Sequence, residues 1–220
     1  ADVILANANV GKADYAVIPI SLRNGICENP KKNEKGGDLS LDDPDATATI
    51  QQLIDNNRFV LIPKGKFMVS QPIELRKNTV LQGINASLSG LHTHLKWQPT
   101  SEDYNSDADG DGFIDGDTAV IRTPDSPDAK PKMAWMNATF GTRDNYDWHM
   151  AFLWRSGEQS MMKGIDCKAR KDVMDGGNPR ADMIFSGNAG GRHYGVGAGN
   201  YCRTDHPQHR RIFIKKAANS

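Results

Sequence analysis

The sequence predicts an all-β chain coiled as a solenoid. Three observations carry that expectation: apolar strands of three to five residues, turns of two to five residues after nearly every one, and a single amphipathic helix ahead of them. Spacing this tight leaves no room for the crossover helices of βαβ units. In a solenoid, each coil buries its inward residues against the coils above and below. A β-sandwich is the competing arrangement, although its strands run longer and alternate more cleanly.

The elements follow in order. Residues 1–40 form an N-terminal segment in which Tyr15–Ile20 reads as a strand and Lys31–Gly37 as a polar loop. Residues 41–220 hold the coils. Asp42, Asp43, Pro44 and Asp45 put acids and a proline into a first turn, and Ala46, Ile50, Leu53 and Ile54 then share one face, so a capped helix begins here. Strands are expected at Phe59–Ile62, Phe67–Val69, Ile73–Leu75 and Thr79–Gln82, punctuated by Pro63, Gly65, Pro72, Asn78 and Gly83. Further strands are expected at Thr93–Trp97, Ala119–Arg122, Met150–Trp154, Met161–Cys167, Met183–Phe185 and Ile212–Ile214, with long polar segments between them. The glycine run Gly187–Gly199 lacks the spacing of a nucleotide-binding loop and is assigned to turns.

Composition sets further bounds. The 27 Lys and Arg balance the 27 Asp and Glu, which excludes a polyanion binder driven by overall field and argues against a nucleic-acid partner. The sequence contains no apolar run long enough to span a membrane. It starts at Ala1 without an initiator Met, as signal-peptide cleavage or trimming leaves a chain, and the expected location is secreted, extracellular or periplasmic. Cys27, Cys167 and Cys202 include no Cys-x-x-Cys pair, so zinc is not expected. They form either one disulfide, with Cys167–Cys202 preferred, or three buried thiols.

The run from Asp42 to Gly83 carries a resemblance. An acidic start, Ile50-Gln51-Gln52-Leu53-Ile54-Asp55, a strand, Pro63-Lys64-Gly65-Lys66-Phe67, a short strand pair and Asn78-Thr79-Val80-Leu81-Gln82-Gly83 follow one another in the order and spacing of the N-terminal cap and first coils of the pectate-lyase-like superfamily. This resemblance implies a right-handed parallel β-helix, in a secreted enzyme or phage-type protein acting on polysaccharide. Members of that superfamily are usually longer, and Ala217–Ser220 shows no capping pattern, so a C-terminally truncated β-helix is expected.

An insertion near residues 100–118 has its own chemistry. Asp107, Asp109, Asp111 and Asp115 fall at positions 1, 3, 5 and 9 of a loop with Gly112 at 6 and Ile114 at 8, an EF-hand-like pattern for Ca²⁺. Alternate carboxylates converge on one point, Phe113 offers its carbonyl, and Ile114 anchors the loop. Thr118 stands where an EF-hand has a bidentate Glu, so Asp117 or a distant residue completes the shell.

Cleaving a polysaccharide takes either two carboxylates, or a base beside a cation that neutralises a uronate carboxylate. With equivalent positions of successive coils stacked about 4.8 Å apart, Asp166 and Lys168 are expected to face Arg192, His193 and Tyr194. His193 or Tyr194 then transfers the proton, and Arg192 or Lys168 neutralises a carboxylate or sulfate; the plainer reading of His193 is a structural histidine. Trp148, His149 and Arg170 are the candidate substrate contacts, Trp148 as a stacking platform for a pyranose. The reading that follows is a carbohydrate-active enzyme cleaving an anionic polysaccharide by β-elimination or hydrolysis. Its alternative is a β-helix that binds glycans without cutting them, such as a phage tail-fibre or adhesin fragment.

Overall fold

Alternation of side chains builds the strands. In Phe59–Ile62, Val60 and Ile62 are buried while Phe59 and Leu61 stay partly exposed, the two-residue period of a strand with one face on a core. The computed structural model describes residues 15–24, 40–141, 148–169, 183–198 and 202–204, with the backbone alone at 168–169, 197–198 and 202–204. Over these residues the chain is mostly β. Its strands are β1 (Tyr15–Val17), β2 (Phe59–Ile62), β3 (Gly65–Val69), β4 (Ile73–Glu74), β5 (Val80–Gly83), β6 (Ser89–Thr93), β7 (Ala119–Arg122), β8 (Lys132–Phe140), β9 (Met150–Trp154), β10 (Met161–Ala169), β11 (Met183–Phe185), β12 (Arg192–Ala198) and β13 (Cys202–Thr204). Two short α-helices accompany them, α1 (Thr47–Asn56) and α2 (Ser101–Tyr104), with a 3-10 turn at Ile20–Leu22.

Every pairing between these strands is parallel, so the antiparallel ladders of a sandwich are not found among the described residues. One sheet runs β1-β2-β5-β8-β10-β12, with β3 paired to β6 and β6 to β8; the other runs β4-β7-β9-β11-β13. From β8 onward the chain visits the two sheets in turn. Parallel sheets need cover on their faces, and here the inward sides of the two sheets share one core. Val60, Leu81, Met133, Met162 and His193 form one inward row across the first sheet. Ile73, Ile121, Phe152 and Met183 form a buried row on the second.

Strands β8 and β10 reach nine residues because they bend rather than stop. Trp135 (φ 56°), Gly164 (φ 62°) and Gly195 (φ 58°) occupy matching places on β8, β10 and β12, all in the left-handed region. β8 thereby pairs with β5 before the bend and with β6 after it. The expected strand at Phe67–Val69 starts earlier, at Gly65, and that at Thr93–Trp97 is displaced upstream to Ser89–Thr93. A turn follows it: the Trp97 N–H donates to the His94 carbonyl at 3.0 Å, and His94 Nδ1 accepts from Lys96 N–H at 3.1 Å. The glycine run assigned to turns instead contributes β12, because pairing with β10 satisfies its backbone and Gly195 absorbs the bend.

Helix α1 closes the open side of β3 and β4. Gln51 behaves as a strand neighbour: its Nε2 donates to the Glu74 carbonyl (3.1 Å) and its Oε1 accepts from the Glu74 N–H (2.9 Å). Ala46 N–H donates to the Met68 carbonyl (2.8 Å) and Ser70 N–H to Thr47 Oγ1 (2.8 Å). Edge groups that would otherwise recruit another chain are thus engaged within this one. The helix start is held by Asp45, whose Oδ1 accepts from Thr47 N–H at 3.0 Å, and Ile50 and Ile54 enter the core.

Candidate functional site

The outward side of the first sheet gathers cations and aromatic rings. Strand register places Tyr15, Phe59, Val80, Lys132, Met161 and Arg192 in one outward row, and Val17, Leu61, Gln82, Ala134, Lys163 and Tyr194 in the next. Neither row contains a carboxylate. Lys132, Lys163 and Arg192 are exposed, and Tyr194 is 52% exposed. Beside them, Trp135 keeps 38% of its surface exposed, and Lys163 Nζ lies 5.3 Å from its ring centroid. Gly164 makes this possible, since a Cβ there would stand 2.3 Å from a carbon of the Trp135 ring. At the far end of the row Tyr15 and Phe59 pack with ring centroids 5.6 Å apart, and the Arg58 guanidinium sits 5.0 Å over Phe59.

Of the residues expected to form a reaction centre, the structure brings two together. Tyr194 lies opposite Lys163, and Arg192 falls in line with Met161 and Lys132. Asp166 is placed elsewhere, between Asn137 and Gly197 and beyond the bend from Arg192 and Tyr194. Lys168 lies opposite Thr139 on β10; its side chain, and Arg170 altogether, lie outside the described residues.

His193 points the other way. It continues the inward apolar row, is 3% exposed, and packs edge-on to Trp154 (5.6 Å between centroids) and Phe185 (5.0 Å). Its Nε2 is 3.1 Å from the Gly190 carbonyl, and burial lowers its pKa to about 4 despite that hydrogen bond. The ring is neutral and packed in the core, on the opposite side of the sheet from the outward rows.

Trp148 and His149 also serve packing. Trp148 is half-buried against Tyr104, with ring centroids 6.0 Å apart, in a small cluster with Ala119, Met150, Leu153 and Ile184. His149 is fully buried with its ring edge-on to Trp97 at 4.9 Å. Trp154 is a core residue whose Nε1 donates to Ser160 Oγ at 3.1 Å. Cys167 is buried on β10, while the side chain of Cys202 lies outside the described residues.

Sequence reasoning gave no site role to Lys132 or Lys163. Their signal is the alternation itself: Met133 and Met162 point inward, so their neighbours point out.

In the insertion, Asp107, Asp109 and Asp111 present carboxylate oxygens within 4.8 Å of one another, all exposed. The loop holds them there with its own backbone: Gly112 N–H donates to Asp107 Oδ2 (3.1 Å), Asp111 N–H to Asp109 Oδ1 (3.2 Å) and Phe113 N–H to Asp111 Oδ1 (2.8 Å). Gly110 (φ 72°) and Gly112 (φ 87°) take the left-handed turns. Three clustered oxygen donors can hold a metal ion. Asp115 is committed differently, closing the loop base by accepting from Ala108 N–H (2.7 Å) and Ser106 Oγ (2.8 Å). Burial pushes its pKa up, but these bonds and the nearby Arg155 and Arg122 hold it below the usual carboxylate range. Asp117 accepts from Arg122 Nη1 at 2.6 Å. Phe113 is half-buried, and Ile114 packs on the Tyr104 cluster as an anchor.

Comparison with known proteins adds no assignment: no protein-family model, no curated protein and no solved structure matches this chain.

Proposed function

We propose that the two parallel sheets are the walls of a right-handed parallel β-helix, and that its outward face binds and cleaves an anionic polysaccharide outside the cell. The observation that carries this reading is the segregation of Lys132, Lys163, Arg192 and Tyr194 on rows without a carboxylate, with Trp135 beside them. Aromatic faces cover the apolar side of a pyranose, and fixed cations neutralise acidic substituents. The lack of an acid pair on these rows favours β-elimination over hydrolysis there. In that step Tyr194, reacting as its phenolate, takes the proton beside the uronate carboxylate while Arg192 and Lys163 neutralise that carboxylate; the bond from the β-carbon to the glycosidic oxygen breaks as a carbon–carbon double bond forms, and the Tyr194 phenol hands the proton to the leaving oxygen. The Asp107–Asp109–Asp111 loop takes Ca²⁺ as a structural ion.

One observation favours the alternative of a glycan-binding β-helix that does not cut. The imidazole between Arg192 and Tyr194, that of His193 and the natural proton carrier at neutral pH, is locked in the core.

The test is incubation with uronate-containing and sulfated polysaccharides plus Ca²⁺, following ultraviolet absorbance of unsaturated ends together with reducing ends. Both signals rising, with Tyr194→Phe slowing turnover about 10²-fold or more at unchanged affinity, is the expected result. Reducing ends alone mean hydrolysis. Binding with neither signal makes the chain a binding module.

A further inference from the structure

The outward face continues into a cleft at its β2 end. Across four strand steps of about 4.8 Å, roughly 19 Å from Arg192, the first row reaches Phe59 and, next to it, Arg58. There a cleft of about 520 Å³ opens between the end of α1 and the turn after β4, lined by Arg58, Arg76, Lys77 and Asn78 among others. The cations are not equivalent. Arg76 is held by Asp55 (Nη2 2.7 Å) and Glu74 (Nη1 2.9 Å), so its charge is balanced. Arg58 and Lys77 are exposed and form no ion pair among the described residues, and Arg58 is held in place over the Phe59 ring.

The end of a helix carries negative charge in its free carbonyls, which would repel an anion. Here one of the last four carbonyls is capped, as Asn57 Nδ2 donates to the Leu53 carbonyl (2.9 Å), and Asn56 Nδ2 donates to the Gln52 carbonyl one place further back (2.8 Å). The cleft is then faced by the Asp55 carboxylate, already paired with Arg76, and by Arg58 and Lys77, which have no ion-pair partner among the described residues, with the Asn78 amide beside them, a donor set for an oxyanion.

We infer that this cleft is an anion-binding subsite for an acidic unit at the end of the glycan lying on the outward rows, with Arg58 and Lys77 contacting its carboxylate or sulfate. It rests on the reading of those rows as a glycan-binding face. The subsite gives that face a polarity: the end of the chain over the cleft is fixed by charge, while the middle is held by rings and cations together. Both side chains lie on the surface and form no hydrogen bond among the described residues, while their backbone carbonyls accept from Val80 N–H and Lys130 N–H whatever the side chain, so glutamine at either position preserves the fold.

The experiment is calorimetric titration of the whole protein with two length series, uronate oligosaccharides and their sulfated neutral-sugar counterparts. The wild type is compared with Lys77→Gln, with Arg58→Gln/Lys77→Gln and with the face variant Lys163→Gln, at matched melting temperature. In the expected result, wild-type affinity climbs as the oligosaccharide becomes long enough to span from Tyr194 to the cleft. The double variant loses about tenfold of that gain, about 1.4 kcal/mol, and leaves short oligosaccharides unaffected, while Lys163→Gln weakens all lengths. The series that shows this step identifies the anion as carboxylate or sulfate. If Lys163→Gln weakens binding and the cleft variants match wild type at every length, the subsite is overturned and the face stands. If neither series binds the wild type, the face reading falls and the subsite with it.

Discussion

At the scale of single residues, His193 shows how placement decides chemistry. Its four row-mates Val60, Leu81, Met133 and Met162 are wholly buried and apolar, and the imidazole fills the next place in the row against Trp154 and Phe185. Burial holds its pKa near 4 in the folded chain against about 6.5 when unfolded. The folded state therefore favours the neutral ring: the stabilisation is complete above pH ~6.5 and is lost as pH falls toward ~4, by up to about 3 kcal/mol. Asp45 behaves in the same sense at lower pH. Partial burial raises its pKa, but Lys96, Ser70 and Thr47 more than offset this and hold it far below the usual carboxylate range. His193→Met extends the methionine row and removes the imidazole titration. We expect urea midpoints of wild type and variant to converge at neutral pH and to separate near pH ~4.5, with the wild type falling further. A parallel fall in both proteins would place the acid sensitivity elsewhere.

At the scale of elements, the acidic loop is held in shape by bonds that do not depend on carboxylate charge. The acceptors at Asp109 and Asp111 are side-chain oxygens of local turns, a role asparagine fills equally well. The double variant Asp109→Asn/Asp111→Asn therefore keeps the loop and removes two negative charges from the cluster. If the loop takes Ca²⁺, calorimetry on the wild type should show saturable binding that the double variant weakens by at least about tenfold. Ca²⁺ at about a hundred times its dissociation constant should stabilise the wild type by about 2.7 kcal/mol, read as a rise in melting temperature. Equal titration curves for the two proteins would leave the three carboxylates as a solvated turn. The anchor below the loop, Ile114 on the Tyr104 cluster, joins the insertion to β7 and β9, so an ion held there would stiffen the segment between the end of β6 at Thr93 and the start of β7 at Ala119.

At the scale of the whole molecule, the short apolar strands and α1 were legible because each is bounded by proline, glycine or acid, as in Pro63 and Gly65 around β2 and β3. Strand β8 was not, since Lys132–Phe140 carries a charge, an asparagine and a tryptophan in left-handed backbone. Strand β12 was not, since its two glycines, Gly195 and Gly197, read as turns. The candidate site suffered from the same gap. Stacking of successive strands was expected, but spacing alone does not fix register, and a shift of one residue exchanges the inner and outer faces. Hence His193 was grouped with Arg192 and Tyr194 although it points inward, and Lys163, which stands beside Tyr194, was passed over. Composition misled in a related way. Equal totals of acid and base leave no overall field, yet folding sorts the charges, sending Lys132, Lys163 and Arg192 to one face and Asp107, Asp109 and Asp111 to the insertion. Under the proposed function, attraction of an anionic glycan to that face would be local, and it should be strongly screened. Raising salt from ~0.01 to ~0.15 M contracts the screening length from about 30 to about 8 Å, and we expect affinity to fall by about an order of magnitude over that range. The triple variant Lys132→Gln/Lys163→Gln/Arg192→Gln should bind weakly with an affinity nearly independent of salt, carried by Trp135 and Tyr194. Wild-type affinity that stays constant across the same range would show that the rings alone hold the glycan and that the cations on these rows contribute no attraction.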